Sequence, residues 1–371
     1  MLFFCISLPF CQRGSGMPME VDRPWRGKLN FPSKQASKQA SRNYNLDLMK
    51  IIACVAVVGL HTLQKDLSII NSTLYYCCGF AVPVFFMCSG YMLFQRDRVS
   101  CSYVVKKIAS ISRVVLMWSF LIFVCEIGWD ILRGRFVMAS LLDFPIIAIK
   151  SLLQKGRLWQ FWYLGALMIL YALLPLLFKM KDKMKYIWAI CLAVGFVLQA
   201  ASYIYGQPIQ KYFIQTFRLW TWVQYFTLGG LLTQNETFRE KISAHQHGVA
   251  LIVLTAIIVA YQNFMGRFAL HNLYAEYFYD DILTVAWVVA LFTLVMRLEL
   301  NDRAVTVIKQ LAPITMGVYI VHPLIIMAAN KMLLIETIPA SLLYFAGILV
   351  LSMMACFIMK HVPRIRKLIE I

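Results

Sequence analysis

Three ionisable residues near the start of the chain, Asp47, Lys50 and His61, have the types and the spacing of a polar stripe through an apolar helix. His61 follows Lys50 by eleven residues, or three helical turns plus about 20°, which places both side chains on one face about 16 Å apart. Asp47 lies one turn before Lys50 and is placed to pair with it. Ionisable groups inside a membrane span are costly, so this stripe indicates a functional site. The alternative is that Asp47 and Lys50 are interfacial anchors and that His61 is a packing residue.

Histidine is the residue most often used to move protons, and a neutral imidazole removes the proton from an attacking hydroxyl. A second histidine in an apolar run, His322, lies in the segment TMGVYIVHP. Tyr319 precedes it by three residues and shares its helical face. Pro323 follows it and is expected to kink the helix. We predict that Tyr319 and His322 support the site, with a histidine bonded only within the bundle as the alternative.

A break in the second apolar run is followed by a basic segment. Ser89, Gly90 and Tyr91 interrupt the run, and small residues there allow helices to approach closely. The basic residues that follow are Arg96, Arg98, Lys106, Lys107 and Arg113. Their charges suit the phosphates of a cytosolic ligand. They are equally explained by membrane topology alone.

The elements that must position these residues are membrane spans. The 371 residues are 60% hydrophobic and 15% charged, whereas soluble domains are about half apolar and about a quarter charged, so an ordinary soluble enzyme is excluded. About ten runs approach the roughly 20 apolar residues of a membrane span. They lie near 48–64, 74–94, 113–132, 158–178, 185–205, 219–234, 248–264, 279–297, 310–330 and 340–360. None shows the alternation of a barrel strand. The sequence therefore predicts an all-α, polytopic membrane helical bundle of about ten transmembrane helices.

The basic residues orient this bundle. The chain has 36 Lys and Arg against 18 Asp and Glu, a formal charge of +18. If the loops alternate sides, 26 basic residues lie on the side of the N-terminus and 10 on the other side. The positive-inside rule then places both termini in the cytoplasm and explains the charge without nucleic acid. The exception is 133–157, an outer segment with five basic residues and an apolar stretch suited to the interface.

The sequence predicts no catalytic or ligand-binding role for the ends of the chain or for its cysteines. The polar repeat SKQASKQASR at Ser33–Arg42 is typical of disorder, so residues 1–43 are either a disordered tail or lie upstream of the true start. Residues 44–365 form the predicted transmembrane domain, and 366–371 are a cytoplasmic end. The ten cysteines have no zinc-ribbon spacing. We predict neither a metal site nor a disulfide framework.

Five segments together resemble the membrane acyltransferase family 3. The spacing of Lys50 and His61 is similar to its Arg/Lys-x10-His signature. The other four, in chain order, are VPVFFMCSGYML at 82–93, LWQFWYLGALMILYALL at 158–174, FTLGGLL at 226–232 and GVYIVHP at 317–323. The resemblance covers roughly residues 44–365. One departure concerns an Arg-x-x-Arg pair after the second span, of which this chain matches only the second position, at Arg113.

The resemblance implies an integral-membrane O-acyltransferase. Such an enzyme transfers an acyl group, usually acetyl from acetyl-CoA, to a hydroxyl of a cell-envelope glycan or lipid-linked sugar. The acyl-CoA is then a co-substrate, and no bound cofactor is expected. We predict a multi-pass protein of the cell (inner) membrane whose partners are the acyl-CoA, the saccharide acceptor and the bilayer.

The predicted roles follow the stripe through the membrane. His61 is the catalytic residue, and Lys50, Lys107 and Arg113 hold the phosphates of the acyl-CoA. Asp47, Ser89, Tyr91, Tyr319 and His322 support the site. Trp159 and Trp162 are placed to stack on a sugar ring. Asp280 and Asp281, which open the eighth run, either mark its boundary or orient an acceptor hydroxyl.

Two alternatives remain at this stage. His61 acts either as a general base or as a relay that is itself acylated. An exporter or flippase of polysaccharide or of a small molecule is the other class of protein with about ten spans and intramembrane polar groups. Transporters often contain paired repeats with broken helices. The Lys50–His61 motif has no counterpart in the second half of the chain, which favours the transferase.

Overall fold

The computed structural model describes residues 42–135, 137–138, 143–233 and 243–369. Within these ranges the regular structure is helical and contains no strand, which confirms the all-α prediction. The predicted tail lies almost wholly outside the described residues, as do the last two residues of the predicted cytoplasmic end.

Thirteen α-helices are numbered here in chain order across the described ranges. They are α1 Tyr44–Thr62, α2 Ile69–Tyr76, α3 Ala81–Phe94, α4 Cys101–Leu132, α5 Asp143–Leu152, α6 Trp162–Lys179, α7 Met184–Ile204, α8 Leu219–Leu232, α9 Ala244–Phe268, α10 Ile282–Val295, α11 Asp302–Leu311, α12 Thr315–Ala329 and α13 Ile338–His361. Short 3-10 turns precede α6, α8 and α10, at Trp159–Phe161, Gln215–Phe217 and Ala275–Phe278.

All ten predicted spans coincide with helical segments, of which two are short. In the described part of the chain, eight helical segments are long and apolar enough to cross a membrane. The sixth and eighth predicted spans are the 14-residue helices α8 and α10. Fourteen residues rise about 21 Å, less than the roughly 30 Å of the hydrocarbon core. Helix α8 lies inside the bundle against α3 and α7, so it does not need to cover the full thickness of the lipid.

Glycine allows α3 and α8 to approach until their backbones touch. A Cβ at Gly90 would overlap the Phe226 carbonyl, and a Cβ at Gly229 would overlap the Met87 carbonyl. The close approach predicted from the small residues of the second span is therefore present, and α8 is the helix that approaches. The predicted interruption at Ser89, Gly90 and Tyr91 is wrong, because α3 continues through these residues to Phe94, and the helical run is broken instead at 77–80, between α2 and α3.

The direction of α12 beside α1 brings the two intramembrane histidines together. The Cys54 thiol of α1 donates to the Thr315 carbonyl of α12 at 3.4 Å, and about two turns later on both helices the ring of His61 stacks on that of His322. The two helices therefore run in the same direction. The opposite ends of the bundle are named after α1 as the Lys50 end and the His61 end.

The first prediction concerns the contact between α3 and α8. We expect Gly90→Ala to lower the stability of the protein by about 1–3 kcal/mol or more, because backbone atoms cannot move aside as a side chain can. The measurement is the thermal midpoint of the detergent-purified protein. Gly347→Ala in α13 is the matched control, since its Cβ would meet nothing within 4 Å. Equal midpoints for the two variants would contradict the observed approach.

Candidate active site

A cavity of about 510 Å³ opens at the His61 end. Its wall combines the end of α1 with the residues that lead into α6, α8 and α10, among them Trp159, Gln215 and Glu276. Non-helical backbone at membrane depth is tolerated where it lines a cavity, and the three 3-10 turns lie at this place. The shape of the cavity is therefore set by the helix starts that surround it.

His61 is the penultimate residue of α1, and its ring is exposed to this cavity. The Trp159 ring meets it edge-on, with centroids 4.8 Å apart and an interplanar angle of 81°. The His322 ring stacks on it at 5.3 Å and 22°. Two ring contacts restrict the imidazole while the cavity leaves it accessible. A side chain so held is well placed for acid–base chemistry on a molecule in the cavity.

His322 is fully buried and has one hydrogen bond to the backbone. Its Nδ1 lies 2.9 Å from the Val318 carbonyl oxygen. A carbonyl only accepts, so Nδ1 carries the hydrogen and Nε2 of the neutral ring is an acceptor. Nε2 is buried and has no partner among the described residues. Such an atom costs about 1–3 kcal/mol.

The turn before α6 is tied to α12 by Gln160, which the sequence analysis did not single out. The Tyr319 hydroxyl donates to the Gln160 carbonyl oxygen. The Gln160 side chain, 1% exposed, donates through Nε2 to the Ile320 carbonyl at 3.0 Å. These bonds fix the position of Trp159 relative to His322. Tyr319 therefore ties α12 to the turn before α6.

The predicted acceptor residues fall into two groups. Trp159 and Trp162 both line the cavity with His61, and Trp162 packs against Trp222 with centroids 5.1 Å apart. Asp280 does not line it: its carboxylate accepts from Trp220 Nε1 at 3.1 Å and from Thr221 Oγ1 at 2.6 Å.

Asp281 is likewise occupied by internal bonds. Its Oδ2 accepts from the hydroxyls of Tyr203 at 3.0 Å and Tyr261 at 2.6 Å. Its Oδ1 accepts from the backbone N–H of Leu283 at 2.9 Å and so caps the start of α10. This is the boundary role that the sequence left open.

The predicted donor residues lie away from the cavity. Lys50 Nζ is 3.5 Å from Asp47 Oδ1, so the predicted pair forms at the Lys50 end. On α1, the wall of the cavity begins only at Leu60. Lys107 and Arg113 lie in the first half of α4, half-buried and exposed respectively. The spacing places Lys50 in line with His61, but about 16 Å from it along the helix.

Ser89 and Tyr91 have structural partners in α3 and α10. The Ser89 hydroxyl donates to the Phe85 carbonyl at 2.9 Å. Tyr91 is 8% exposed and packs against Phe292 with centroids 5.4 Å apart.

A buried ion pair at the cavity was missed by the sequence analysis. Arg218 Nη2 lies 3.5 Å from Glu276 Oε1, and their side chains are 4% and 21% exposed. Arg218 Nε also donates to the Phe213 carbonyl at 3.2 Å. Burial raises the pKa of Glu276, while the neighbouring Arg218 acts to lower it. The only sequence signal was position, because Arg218 immediately precedes the shortest predicted span.

A second charge at the cavity is Lys65, just beyond the end of α1. Its Nζ lies 3.1 Å from Asp66 Oδ2 and 4.1 Å from the centre of the Tyr274 ring. Both cavity charges, Glu276 and Lys65, thus have partners of opposite sign. The cavity combines aromatic rings with paired charges, a lining suited to a neutral polar molecule.

The fold and the site define a multi-pass helical membrane protein with an accessible, ring-stacked histidine in an aromatic cavity. Comparison with known families agrees with this class: the model of acyltransferase family 3, an acyltransferase domain, matches residues 43–361. The chain therefore belongs to acyltransferase family 3, which confirms the resemblance seen in its sequence, and acyl transfer is its general activity. Searches of curated proteins and of solved structures each gave no match.

The second prediction concerns the buried ion pair. We expect Arg218→Leu to destabilise the protein by about 3–5 kcal/mol, because it leaves the Glu276 carboxylate buried without its partner. The double variant Arg218→Leu/Glu276→Leu should recover part of that loss, which thermal unfolding of the purified protein would measure.

Arg135→Leu is the matched control for the Arg218→Leu variant. Arg135 also pairs with a carboxylate, Asp130, but their side chains are 59% and 36% exposed. Exposed pairs contribute about 0–1 kcal/mol. If Arg218→Leu and Arg135→Leu cost the same, the pair at the cavity has no special role in stability.

Proposed function

We propose that the protein transfers an acetyl group from acetyl-CoA to a hydroxyl of a cell-envelope glycan or lipid-linked sugar, with His61 as the general base. The observation that carries this proposal is the ring of His61, exposed to an aromatic cavity and held between Trp159 and His322. Among the described side chains that line this cavity, His61 is the imidazole, the group suited to accept a proton near neutral pH.

The proposed reaction is a single displacement at the thioester. His61 takes the proton from the acceptor hydroxyl as its oxygen attacks the thioester carbonyl carbon. The new C–O bond forms, the C–S bond of the tetrahedral intermediate breaks, and the leaving thiolate takes the proton from the His61 imidazolium, which returns to its neutral form. The products are the O-acetyl ester and the free thiol of CoA, so atoms and charge balance. His322 would act as a positioning residue, because its ring covers one face of His61.

The lining of the cavity supports a saccharide acceptor. Sugar rings present apolar C–H faces that pack on aromatic rings, and Trp159 and Trp162 offer such surfaces. The carboxylate of Glu276 accepts hydrogen bonds and is available to orient sugar hydroxyls. Paired charges make the cavity electrically balanced, which suits a neutral polyhydroxyl compound.

The opposite end of the bundle suits the donor. Lys50, Lys107 and Arg113 supply positive charge there for the phosphates of acetyl-CoA, which is cytosolic. The excess of 26 basic residues on this side over 10 on the other supports placing this end and both termini in the cytoplasm. The membrane that the protein spans would then be the cell (inner) membrane. The pantetheine arm would then follow α1 from Lys50 toward His61.

The third prediction tests the base. We expect His61→Ala to lower acetyl transfer by about 10²–10⁴-fold, the usual contribution of general acid–base catalysis. Membranes from cells with acetylated envelope glycans receive acetyl-CoA labelled in its acetyl group, and label released by mild alkali is counted. Alkali releases O-esters but leaves amides intact, so the same assay separates hydroxyl from amino acceptors.

His245→Ala is the matched control, since His245 is an exposed histidine near the start of α9. Wild-type transfer by a folded His61→Ala variant would rule out the proposed base. Exchange of labelled CoA into acetyl-CoA without acceptor distinguishes the mechanisms: a relay through acyl-His61 requires exchange, and direct displacement gives none.

The fourth prediction concerns the donor site. We expect Lys50→Ala to raise the KM for acetyl-CoA about tenfold or more with a smaller change in kcat, because a hydrogen bond to a charged group contributes about 1.5–3 kcal/mol. Lys50→Arg should restore much of the affinity. Arg303→Ala, an exposed basic residue of α11 near the same end, is the control. An unchanged KM in Lys50→Ala would place the phosphates elsewhere.

A further inference from the structure

A second cavity, of about 330 Å³, lies between α4 and α12. The ion pair between Glu126 and Arg157 borders it, and Trp129 and Lys331 form its outer part. Arg157 is two residues from Trp159, so this cavity lies at the His61 end of the bundle. The acyl transfer proposed above assigns it no role.

Two helical stripes form the walls of this cavity. On α4 the lining residues are Ile122, Cys125, Glu126 and Trp129, and on α12 and just beyond it they are Leu324, Met327, Ala328 and Lys331. Both sets follow the spacing i, i+3, i+4, i+7, which marks one face of a helix. Seven residues rise about 10 Å, so the cavity is a short groove along the helix axes.

Polarity changes in the same sense along both walls. The groove begins at the apolar side chains of Ile122 and Leu324 and ends about two turns later at Trp129 and Lys331. A membrane lipid has the same order, with chains toward the middle of the bilayer and a polar headgroup at the interface. Trp and basic residues are the side chains that favour this interface.

The face of α4 beside the groove is turned away from the protein. Leu121, Val124 and Ile131 are 43%, 48% and 57% exposed, and Trp129 itself is 50% exposed. Apolar side chains on a spanning helix that the bundle leaves uncovered are in contact with lipid. The groove therefore opens toward the bilayer.

The charges at the outer end favour an anion. Glu126 offsets Arg157, while Lys331 has no salt-bridge partner among the described residues, which leaves one net positive charge. Arg133, stacked over Trp129 at 4.3 Å, adds another nearby. Arg133 and Arg157 are two of the five basic residues in 133–157, the segment that departs from the positive-inside rule.

We propose that this groove binds one anionic phospholipid of the surrounding membrane. Its phosphate would lie between Arg157 and Lys331, and the first part of one acyl chain would lie against Ile122 and Leu324. The inference does not depend on the identity of the acyl acceptor, because it concerns a separate cavity and a lipid that is always present.

The test is a lipid titration of the full chain followed by native mass spectrometry in detergent. We expect one molecule of phosphatidylglycerol to bind more tightly than phosphatidylcholine of the same chains. Lys331→Ala should weaken phosphatidylglycerol binding about fivefold, the effect of one basic residue at a membrane surface. Lys331→Arg should restore it, and Met327→Trp should reduce it by filling the apolar part of the groove.

Lys155→Ala is the matched control, since Lys155 is an exposed basic residue of the same segment that does not line the groove. Equal binding of the two lipids, or equal losses in Lys331→Ala and Lys155→Ala, would overturn the proposal. Displacement by millimolar inorganic phosphate would instead identify a site for a free anion. Tighter binding of a polyprenyl phosphate than of phosphatidylglycerol would replace the proposed occupant with a lipid carrier.

Discussion

Inside a bilayer every backbone polar group must find its partner within the protein, and this constraint determines where the cavity can be. The regular helices satisfy their backbone hydrogen bonds internally along most of their length. The 3-10 turns Trp159–Phe161, Gln215–Phe217 and Ala275–Phe278 depart from α-helical bonding, and their residues contribute to the wall of one cavity. A cavity lined by protein tolerates irregular backbone, and it also gives a ligand access to the histidine. The 3-10 turns and the accessible His61 therefore occur at the same place.

The site retains polar groups that a purely structural core would avoid. The Nε2 atom of His322 is buried without a partner among the described residues, and Arg218 with Glu276 forms a buried ion pair. Apolar replacements of similar shape are often neutral or stabilising at such positions. Tight packing elsewhere, such as the backbone contact at Gly90, offsets the cost. Unpartnered buried polar atoms also occur at other places among the described residues, for example at Asn71 and Gln224, so this cost is not confined to the cavity.

Much of the fold could be predicted from the sequence, because spans are local features. Most apolar runs became a single helix, although the second run is divided between α2 and α3, and the spacing of Lys50 and His61 gave their common face. The lengths of α8 and α10 could not be predicted, since neighbouring helices decide how much lipid a helix meets. The ion pair of Arg218 and Glu276 depends on contact between residues 58 positions apart. Asp280 and Asp281 looked available in sequence, but their partners come from other helices.

Helix α12 links the two cavities, because it forms a wall of the groove and carries a residue of the site. Leu324 and Met327 lie about 200° and about 140° around the helix from His322, so the groove and the histidine are on opposite faces. Arg157 and Trp159 connect the same two places through the turn before α6. A lipid bound by Arg157 and Lys331 would therefore contact the segment that also carries Trp159, whose ring meets that of His61 edge-on. If the proposed lipid binds there, the segment that carries both Arg157 and Trp159 is where its headgroup would meet the wall of the site.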